Sequence, residues 1–388
     1  MTRITYGMIS KDVQSGIQTN GVKLDDLMAK LSSGKLLNQP SDDSVAVSIV
    51  LKLHSQSSRQ DQYVRNIQDG QMWLATSETA LTSGNDVLQR ANELAIQGAN
   101  GTYSATERAY SNTEIRQLAD QMMSIANTSL KGDYLFAGTQ TDTPPYSLQN
   151  GTDSIKDIPN ANGTGLTAVP ATIQLYDTAA RDSNTTTGNP AARDILPGTL
   201  DIKGLTEGTD FKVDYKSGQV TFLTTTAENL AAGTGINISY DWIRRSEKDM
   251  TGSVNREIQK NTAVPVNVTP DQAFGTASGI SVFDSLVDLM QGLHTNDSTK
   301  VKSSMPEIQD SLQRLLQAQT MAGSRANRLT STQTQNAQDS LALTDQTSQL
   351  EDVDFTKTIS DFQTRQQVYQ ASLQVGAKII QPSLANFL

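Results

Sequence analysis

The sequence predicts an α+β protein, in which an elongated antiparallel α-helical bundle or coiled coil is built from both termini and carries an inserted β-rich domain. Two observations predict this fold. Apolar residues recur at intervals of three and four near both ends of the 388-residue chain, which is the spacing of a helical seam. Between these ends, residues 141–270 are rich in Gly, Thr, Asn and Asp and contain alternating strand patterns.

Residues 1–40 are predicted to form an N-terminal coiled-coil polymerisation segment. Its seam consists of Val13, Ile17, Leu24, Leu27 and Leu31. Gly34 suits the left-handed position after a helix end, and Pro40 prevents the helix from continuing. Ser41 or Asp42 is expected to cap the next helix, with Asp42 and Asp43 at the positive end of its dipole. Together these breaks predict a first helix joint at Gly34, Pro40, Asp42 and Asp43.

Residues 41–140 are predicted to be the N-terminal part of a helical rod domain. A long helix reaches about Gly98, with an apolar stripe of Ile49, Leu53, Ile67, Leu74, Leu81 and Leu88. Gly70 and Gly84 lie on that stripe, where each costs about 1 kcal/mol of helix propensity but allows a neighbouring helix to approach closely. A third helix follows, with one face formed by Ile115, Leu118, Met122 and Ile125.

Residues 141–270 are predicted to be an inserted β-rich outer domain. The stretch "FKVDYKSGQVTFLT" indicates a hairpin, because Phe211, Val213 and Tyr215 alternate before a Lys-Ser-Gly turn and Val220 and Phe222 alternate after it. The stretches "TIQLYD" and "INISYDW" indicate further strands.

Helices return in residues 271–349, the predicted C-terminal part of the rod domain. A short amphipathic helix contains Phe283, Leu286, Val287 and Met290, and a long helix follows with Ile308, Leu312, Leu315, Leu316 and Leu329. The motif "LEDVDF" interrupts this helix and predicts a second joint at Glu351, Asp352 and Asp354. Residues 350–388 form the predicted C-terminal polymerisation segment, with a seam of Phe355, Ile359, Phe362, Tyr369, Leu373, Ile380 and Leu384.

The two terminal seams can cover one another only if the chain doubles back. Two helices bury only part of each other, so flanking residues such as Val368 and Ile379 are expected to need further copies of the chain. Each buried Leu, Ile or Phe contributes about 1.5–3 kcal/mol, against about 1–2 kcal/mol per residue for ordering the backbone. We therefore expect both ends to be mobile in a free monomer and to fold on assembly.

Composition disfavours several classes of function. The net charge of −10 disfavours nucleic-acid binding. No stretch approaches a membrane span, so membrane insertion is not expected. The absence of cysteine removes disulfides and thiolate metal sites. His54 and His294 are the only imidazoles and lack a nucleophile motif, and "GTGLTA" at residues 163–168 lacks the helix that a dinucleotide site needs. We therefore expect no enzyme activity, cofactor or metal.

Several motifs occur in one order: "LSSGKLLNQPSDDSVAVSI", "DGQMWLATSETALTSGNDVLQRANELAIQGANGTYS", "SRANRLTSTQTQ" and "LEDVDF". Over residues 1–140 and 275–388 the chain closely resembles the flagellin family. Within that family, "YLFAGTQTDTPPY" and "QPSLANFL" resemble the branch found at the hook–filament junction.

The resemblance implies a secreted structural subunit of the bacterial flagellum, exported by the flagellar type III route. Its implied partners are copies of itself, the hook-side junction protein (FlgK), flagellin, and an export chaperone that binds the C-terminal region. The N-terminal stretch has no apolar core of signal-peptide length, which agrees with such a route. Two alternatives stay open: filament flagellin, and a surface adhesin with a helical stalk. A hydrolase within the β-rich insert is the least favoured hypothesis.

Overall fold

The long helices lie where the apolar periodicity predicts them. The computed structural model describes residues 6–154, 171–175, 195–202, 204–223, 237–246, 248–275 and 281–380. Its helices are α1 (Tyr6–Ser33), α2 (Ser44–Gly98), α3 (Ala105–Ala126), α4 (Pro270–Ala273), α5 (Val282–His294), α6 (Ser298–Glu351) and α7 (Phe355–Ile380). Helices at both ends with β-structure between them confirm the predicted fold class.

The strands form small antiparallel sheets. They are β1 (Ser129–Leu130), β2 (Asp133–Tyr134), β3 (Tyr146–Ser154), β4 (Ala171–Gln174), β5 (Asp201–Ile202), β6 (Phe211–Asp214), β7 (Gln219–Phe222), β8 (Asn237–Arg245), β9 (Asn255–Gln259) and β10 (Thr262–Pro265). The sheet orders among them are β1-β2, β3-β8-β5, β4-β7-β6 and β9-β10. The predicted hairpin is confirmed as β6 and β7, with Phe211 opposite Phe222 and Val213 opposite Val220.

The chain divides into two compact units. The terminal unit comprises the chain up to Arg65 and from Gln333 onward, and the central unit runs from Asn66 to Thr332. These units differ from the five predicted segments, because within the central unit the β-region packs directly on the helices. Val266, just after β10, lies against Gly70 of α2, and Lys216 in the β6–β7 turn forms an ion pair with Asp288 of α5 at 2.8 Å.

The core of the central unit follows the predicted stripes closely. Its members include Ile67, Leu74, Leu81 and Leu88 of α2, Ile115, Met122 and Ile125 of α3, Phe283, Leu286, Val287 and Met290 of α5, and Ile308, Leu315 and Leu329 of α6. A Cβ atom built on Gly70 would lie 2.8 Å from Val266 Cγ1 and 3.0 Å from Leu329 Cδ1. This glycine therefore permits the close approach that the sequence predicted. Leu316 was predicted on the α6 stripe, but it is 43% exposed, because it lies about 100° around the helix from the buried Leu315.

Helix starts within the central unit are fixed by local capping. Ser104 and Glu107 form a capping box at the start of α3, and Ser281 and Asp284 form another at the start of α5. Each box satisfies two amide donors that would otherwise have no partner at a helix N-terminus. The helix boundaries in this unit are thus set by side-chain oxygens as well as by the apolar pattern.

Candidate assembly surface and helix joint

The first and last helices of the described chain pack against each other as an antiparallel pair, which we call the terminal pair (α1 and α7). Asn20 donates a hydrogen bond to Ser372 at 3.3 Å, and Gly21 lies beneath the ring of Tyr369. Towards the other end of α7, a Cβ atom on Gly376 would lie 2.9 Å from Ile17 Cδ1. Residue numbers rise along one helix as they fall along the other, so the chain doubles back as the seam pattern required.

The pairing buries the predicted seam only in part. Half-buried seam residues are Val13, Ile17, Leu24, Leu27, Leu31, Phe362 and Tyr369. Phe355, Ile359 and Leu373 are exposed, at 51%, 45% and 45%. Ile380 is the last residue of α7, and Leu384 lies outside the described residues. Most of these side chains are thus divided between contact with the opposite helix and contact with solvent.

Further apolar side chains lie beside the seam and face solvent. On the terminal pair they are Met8, Ile9, Val22, Met28, Val368 and Val375. Val22 is 64% exposed and Val375 is 52% exposed, although both belong to helices that are otherwise paired. Of these residues the sequence predicted only Val368, as a position flanking the seam, because the others lie outside the three-and-four spacing on which the prediction rested. We call the exposed apolar residues of α1 and α7, together with the half-buried seam, the terminal surface.

Two chain breaks meet beside the terminal pair and form the helix joint (residues 34–43 and 351–354). Gly34 has φ +70°, the left-handed conformation expected after a helix end, and its amide donates to the carbonyl of Lys30 at 2.9 Å. The Gly34 carbonyl accepts from Val353 N at 3.0 Å, and Leu36 N donates to the carbonyl of Glu351 at 2.6 Å. These two bonds form an antiparallel β-bridge, so the two predicted joints are one structural feature.

The side chain of Glu351 closes the joint. Its Oε1 accepts from Lys35 Nζ at 2.5 Å, and its Oε2 contacts His54 Nε2 of α2 at 2.9 Å. Glu351 is buried, whereas the side chains of Lys35 and His54 are about half exposed. Burial acts to raise the pKa of Glu351, but the hydrogen bonds from Lys35 and His54 together outweigh it and hold this pKa below its usual value.

The remaining joint residues organise the starts of the helices that follow. Asp43, rather than Ser41 or Asp42, caps α2, since its Oδ1 accepts from Val45 N and Ala46 N at 3.0 Å. Asp42 instead accepts from the amides of Asn38 and Gln39 at 2.9 Å, which lower its pKa. The chain turns between Gln39 and Asp42, where the Asp42 amide donates to the Gln39 carbonyl at 3.0 Å, and this turn brings the carboxylate near both amides.

On the other side of the joint, Asp354 caps α7 by accepting from Lys357 N at 3.1 Å. Asp352 accepts from the hydroxyl of Ser348 at 2.5 Å. Both carboxylates thus bind donors close to them in sequence, and the carboxylate that contacts Lys35 and His54 is that of Glu351.

His294 lies in the central unit, in a polar cluster unrelated to the joint. Its Nε2 contacts Glu207 at 2.9 Å, and Tyr215 donates to the same carboxylate oxygen at 2.7 Å. The hydrogen bond to Glu207 raises the pKa of His294 despite partial burial. Within the described residues, His, Asp and Glu side chains form no group of three that could hold a metal ion. The "GTGLTA" stretch at 163–168 lies outside the described residues.

Comparison with known proteins connects both ends of the chain to one family. The profile of the bacterial flagellin N-terminal helical region matches residues 4–141, and that of the bacterial flagellin C-terminal helical region matches residues 305–388. Together the two matches cover more than half of the chain. Among the described helices, none has the length and apolar character needed to cross a membrane.

Two of the curated relatives that the chain matches are flagellar proteins. Flagellar hook-associated protein 3 of Salmonella typhimurium is 30% identical over 150 residues, which are 38% of this chain and 47% of that protein. The flagellar filament 33 kDa core protein of Treponema phagedenis is 33% identical over 124 residues, which are 32% of this chain and 43% of that protein. The chain thus spans about half the length of the curated relatives it matches.

A solved structure supports the fold. It is that of a protein assigned as a flagellar hook-associated protein of Vibrio parahaemolyticus. It superposes on 80% of this chain and 100% of its own chain, with a TM-score of 0.52 and 17% sequence identity. At that identity, the agreement concerns the arrangement of the helices and strands.

Proposed function

The chain belongs to the bacterial flagellin family, and we propose that it is a structural subunit of the flagellum that acts as an adaptor at the hook–filament junction. In this role it is the counterpart of hook-associated protein 3 (FlgL) and assembles through its terminal helices. The relative from Salmonella carries that name, and the family matches cover the two helical ends. The family matches cover the part of the chain that contains the terminal surface.

One observation carries the assembly role. Most large apolar side chains of the central unit are buried, although Ile96, Tyr110 and Leu316 are exceptions. In the described part of the terminal pair no large apolar side chain is fully buried, and Val22, Leu373 and Val375 are about half exposed or more. Isolated exposed apolar residues are common, but nine of them on two paired helices indicate an interaction surface. Removing them from water would contribute about 25 cal/mol per Å² of apolar area. A neighbouring copy that presents the same helices supplies a matching apolar cover.

The proposed partners follow from this role. Copies of the same chain cover the terminal surface within one layer, the hook-side junction protein FlgK lies below, and flagellin lies above. An export chaperone would bind the C-terminal region before assembly, when the apolar face of α7 would otherwise be exposed to water. The role requires no catalysis, since assembly depends on contacts between surfaces.

Filament flagellin is the alternative that the comparisons also support, because a filament core protein matches about as well as hook-associated protein 3. Immunogold labelling of purified flagella separates the two roles. An adaptor should label a single band between hook and filament, whereas a flagellin should label along the filament. Deleting the gene should leave finished hooks and release flagellin into the medium. A deletion strain that still grows filaments would overturn the adaptor role.

A truncation tests whether the terminal helices are needed for incorporation. Removing residues after Val375 should abolish incorporation, because it removes Gly376 and the helix end that packs on Ile17. An adhesin whose helices serve only as a stalk should tolerate this change. A truncated chain that appears in flagella at the normal level would contradict assembly through α7.

A further inference from the structure

A buried carboxylate lies where three segments of the terminal unit meet. Glu351 ends α6, Lys35 belongs to the segment after α1, and His54 lies on α2. Each carboxylate oxygen of Glu351 has its own partner, Lys35 Nζ at 2.5 Å and His54 Nε2 at 2.9 Å. One side chain therefore links three stretches of the chain that local sequence does not connect.

The same residue also takes part in the backbone bridge. The Glu351 carbonyl accepts from Leu36 N at 2.6 Å, and two residues further on Val353 N donates to Gly34 O at 3.0 Å. The side chain and the main chain of Glu351 thus act on the same short segment, residues 34–36. Loss of the side-chain contacts would leave only the two bridge bonds to hydrogen-bond this segment to residues 351–353.

The contacts of Glu351 depend on its charge. A buried carboxylate is unfavourable unless donors compensate it, and removing one partner of such a pair leaves the other unsatisfied. Lys35 and His54 are the side chains that interact with Glu351 in the described part of the chain. The nearby Asp352 and Asp354 are engaged by Ser348 and by the Lys357 amide, so they do not replace it.

We propose that Glu351 is a charge-dependent clasp that fixes the orientation of the terminal pair relative to the first turns of α2, and that neutralising it releases the joint. This inference concerns a single chain and does not depend on whether that chain forms a junction or a filament. The depressed pKa of Glu351 supports it, because the ionised form is the one that the fold favours. A group with a depressed pKa adds stability above its ordinary pKa, and this contribution is lost as pH falls through the native pKa.

The test uses the monomeric full-length chain with Glu351→Gln, which keeps the shape of the side chain and removes its charge. Because the sequence has no cysteine, Gln18→Cys on α1 and Gln56→Cys on α2 provide two unique positions for spin labels. Pulsed electron paramagnetic resonance then measures the distance distribution between the labels. Hydrogen exchange measures the protection of the Leu36 and Val353 amides. Asp26→Asn is the matched control, because Asp26 forms a 2.8 Å ion pair with Lys30 on the exposed side of α1.

We expect Glu351→Gln to broaden the distance distribution and to speed exchange of both amides roughly ten-fold, the effect of losing one charge-assisted hydrogen bond. Asp26→Asn should change neither. Lowering the pH should broaden the distribution in the wild-type chain more than in Glu351→Gln. The pKa of Asp42 is lowered as well, so Asp42 also loses a stabilising charge at low pH. The effect of Glu351 is therefore the difference in broadening between the wild-type chain and Glu351→Gln.

Wild-type distances and wild-type protection in Glu351→Gln would overturn the proposal. A distance distribution that is already broad in the wild-type monomer would also overturn it, because the ends would then be mobile before assembly, as the sequence predicts, and would have no fixed orientation to lose. Faster exchange with an unchanged distance distribution would also overturn it, because the orientation would then be fixed by other contacts. If Glu351→Gln loses helix content, Lys35→Met replaces it, and the same two measurements decide. All of these measurements are made on monomers. The clasp can therefore be disproved while the assembly role stands, and the assembly role can be disproved while the clasp stands.

Discussion

Replacing Leu373 by aspartate should weaken assembly far more than it weakens the fold. Leu373 lies on the seam of α7, one turn after Tyr369, and is 45% exposed. Its remaining apolar surface is available to a neighbouring copy under the assembly role proposed above. An aspartate at this position would be solvated in the monomer but would have to be desolvated in the assembled state. The change therefore acts on assembly by two routes, loss of apolar contact and burial of a charge.

The magnitude follows from the exposed fraction. Full burial of a leucine contributes about 1.5–3 kcal/mol, so covering the exposed half of Leu373 contributes about 0.7–1.4 kcal/mol. Since about 1.4 kcal/mol is a factor of ten in affinity, this loss alone raises the critical concentration for assembly about three- to ten-fold. An unpaired carboxylate in the contact adds a desolvation cost of several kcal/mol. We therefore expect an increase well above ten-fold.

Sedimentation of purified subunits over a concentration series measures this critical concentration, and circular dichroism follows the monomer. Gln374→Asp is the control, because it adds the same charge to the next, exposed position of α7. Leu373→Asp should keep the helix content of the wild-type chain, and Gln374→Asp should assemble normally. Assembly of Leu373→Asp at the wild-type concentration would show that Leu373 lies outside the contact between copies.

Three further predictions concern the monomer, each with thermal unfolding as the measurement. Gly70→Val should destabilise the central unit by about 1–3 kcal/mol through overpacking against Val266, and Gly7→Val, which meets nothing within 4 Å, should have little effect. Asp43→Ala should cost about 1 kcal/mol by removing the cap of α2, and an unchanged melting temperature would contradict that capping role. The raised pKa of His294 means that its ion pair stabilises the fold at low pH and is lost as pH rises through that pKa; His294→Gln should remove this pH dependence.

The sequence predicts the elements whose signals are local and periodic. The α2 stripe, the β6–β7 hairpin and the break at "LEDVDF" each depend on residues within one or two turns of each other, and the structure has all three. Gly34 was predicted for the same reason, since a left-handed residue after a helix end depends on its immediate neighbours.

The sequence does not predict features that depend on distant or equivalent residues. The sequence predicted Ser41 or Asp42 as the cap of α2, and this was wrong. Asp43 has the same side chain as Asp42, and only the path of the chain between Gln39 and Ser44 gives the cap to Asp43. The partners of Glu351 lie 316 and 297 residues away in sequence. An apolar pattern carries no information about such polar contacts, so Glu351 was predicted as a joint residue without its bonds.

The terminal surface and the clasp would affect assembly through different steps, and kinetics can separate them. Loss of Leu373 removes contact area, so it should act mainly by raising the rate at which subunits dissociate. Loss of the Glu351 charge leaves the contact residues in place but reduces the fraction of chains whose terminal pair has the orientation that assembly needs. The apparent affinity then falls in proportion to that fraction, so a drop to one in ten weakens assembly about ten-fold. We therefore expect Glu351→Gln to slow subunit addition and to leave dissociation close to the wild-type rate. Faster dissociation from this variant would show that Glu351 also contributes to the contact between copies.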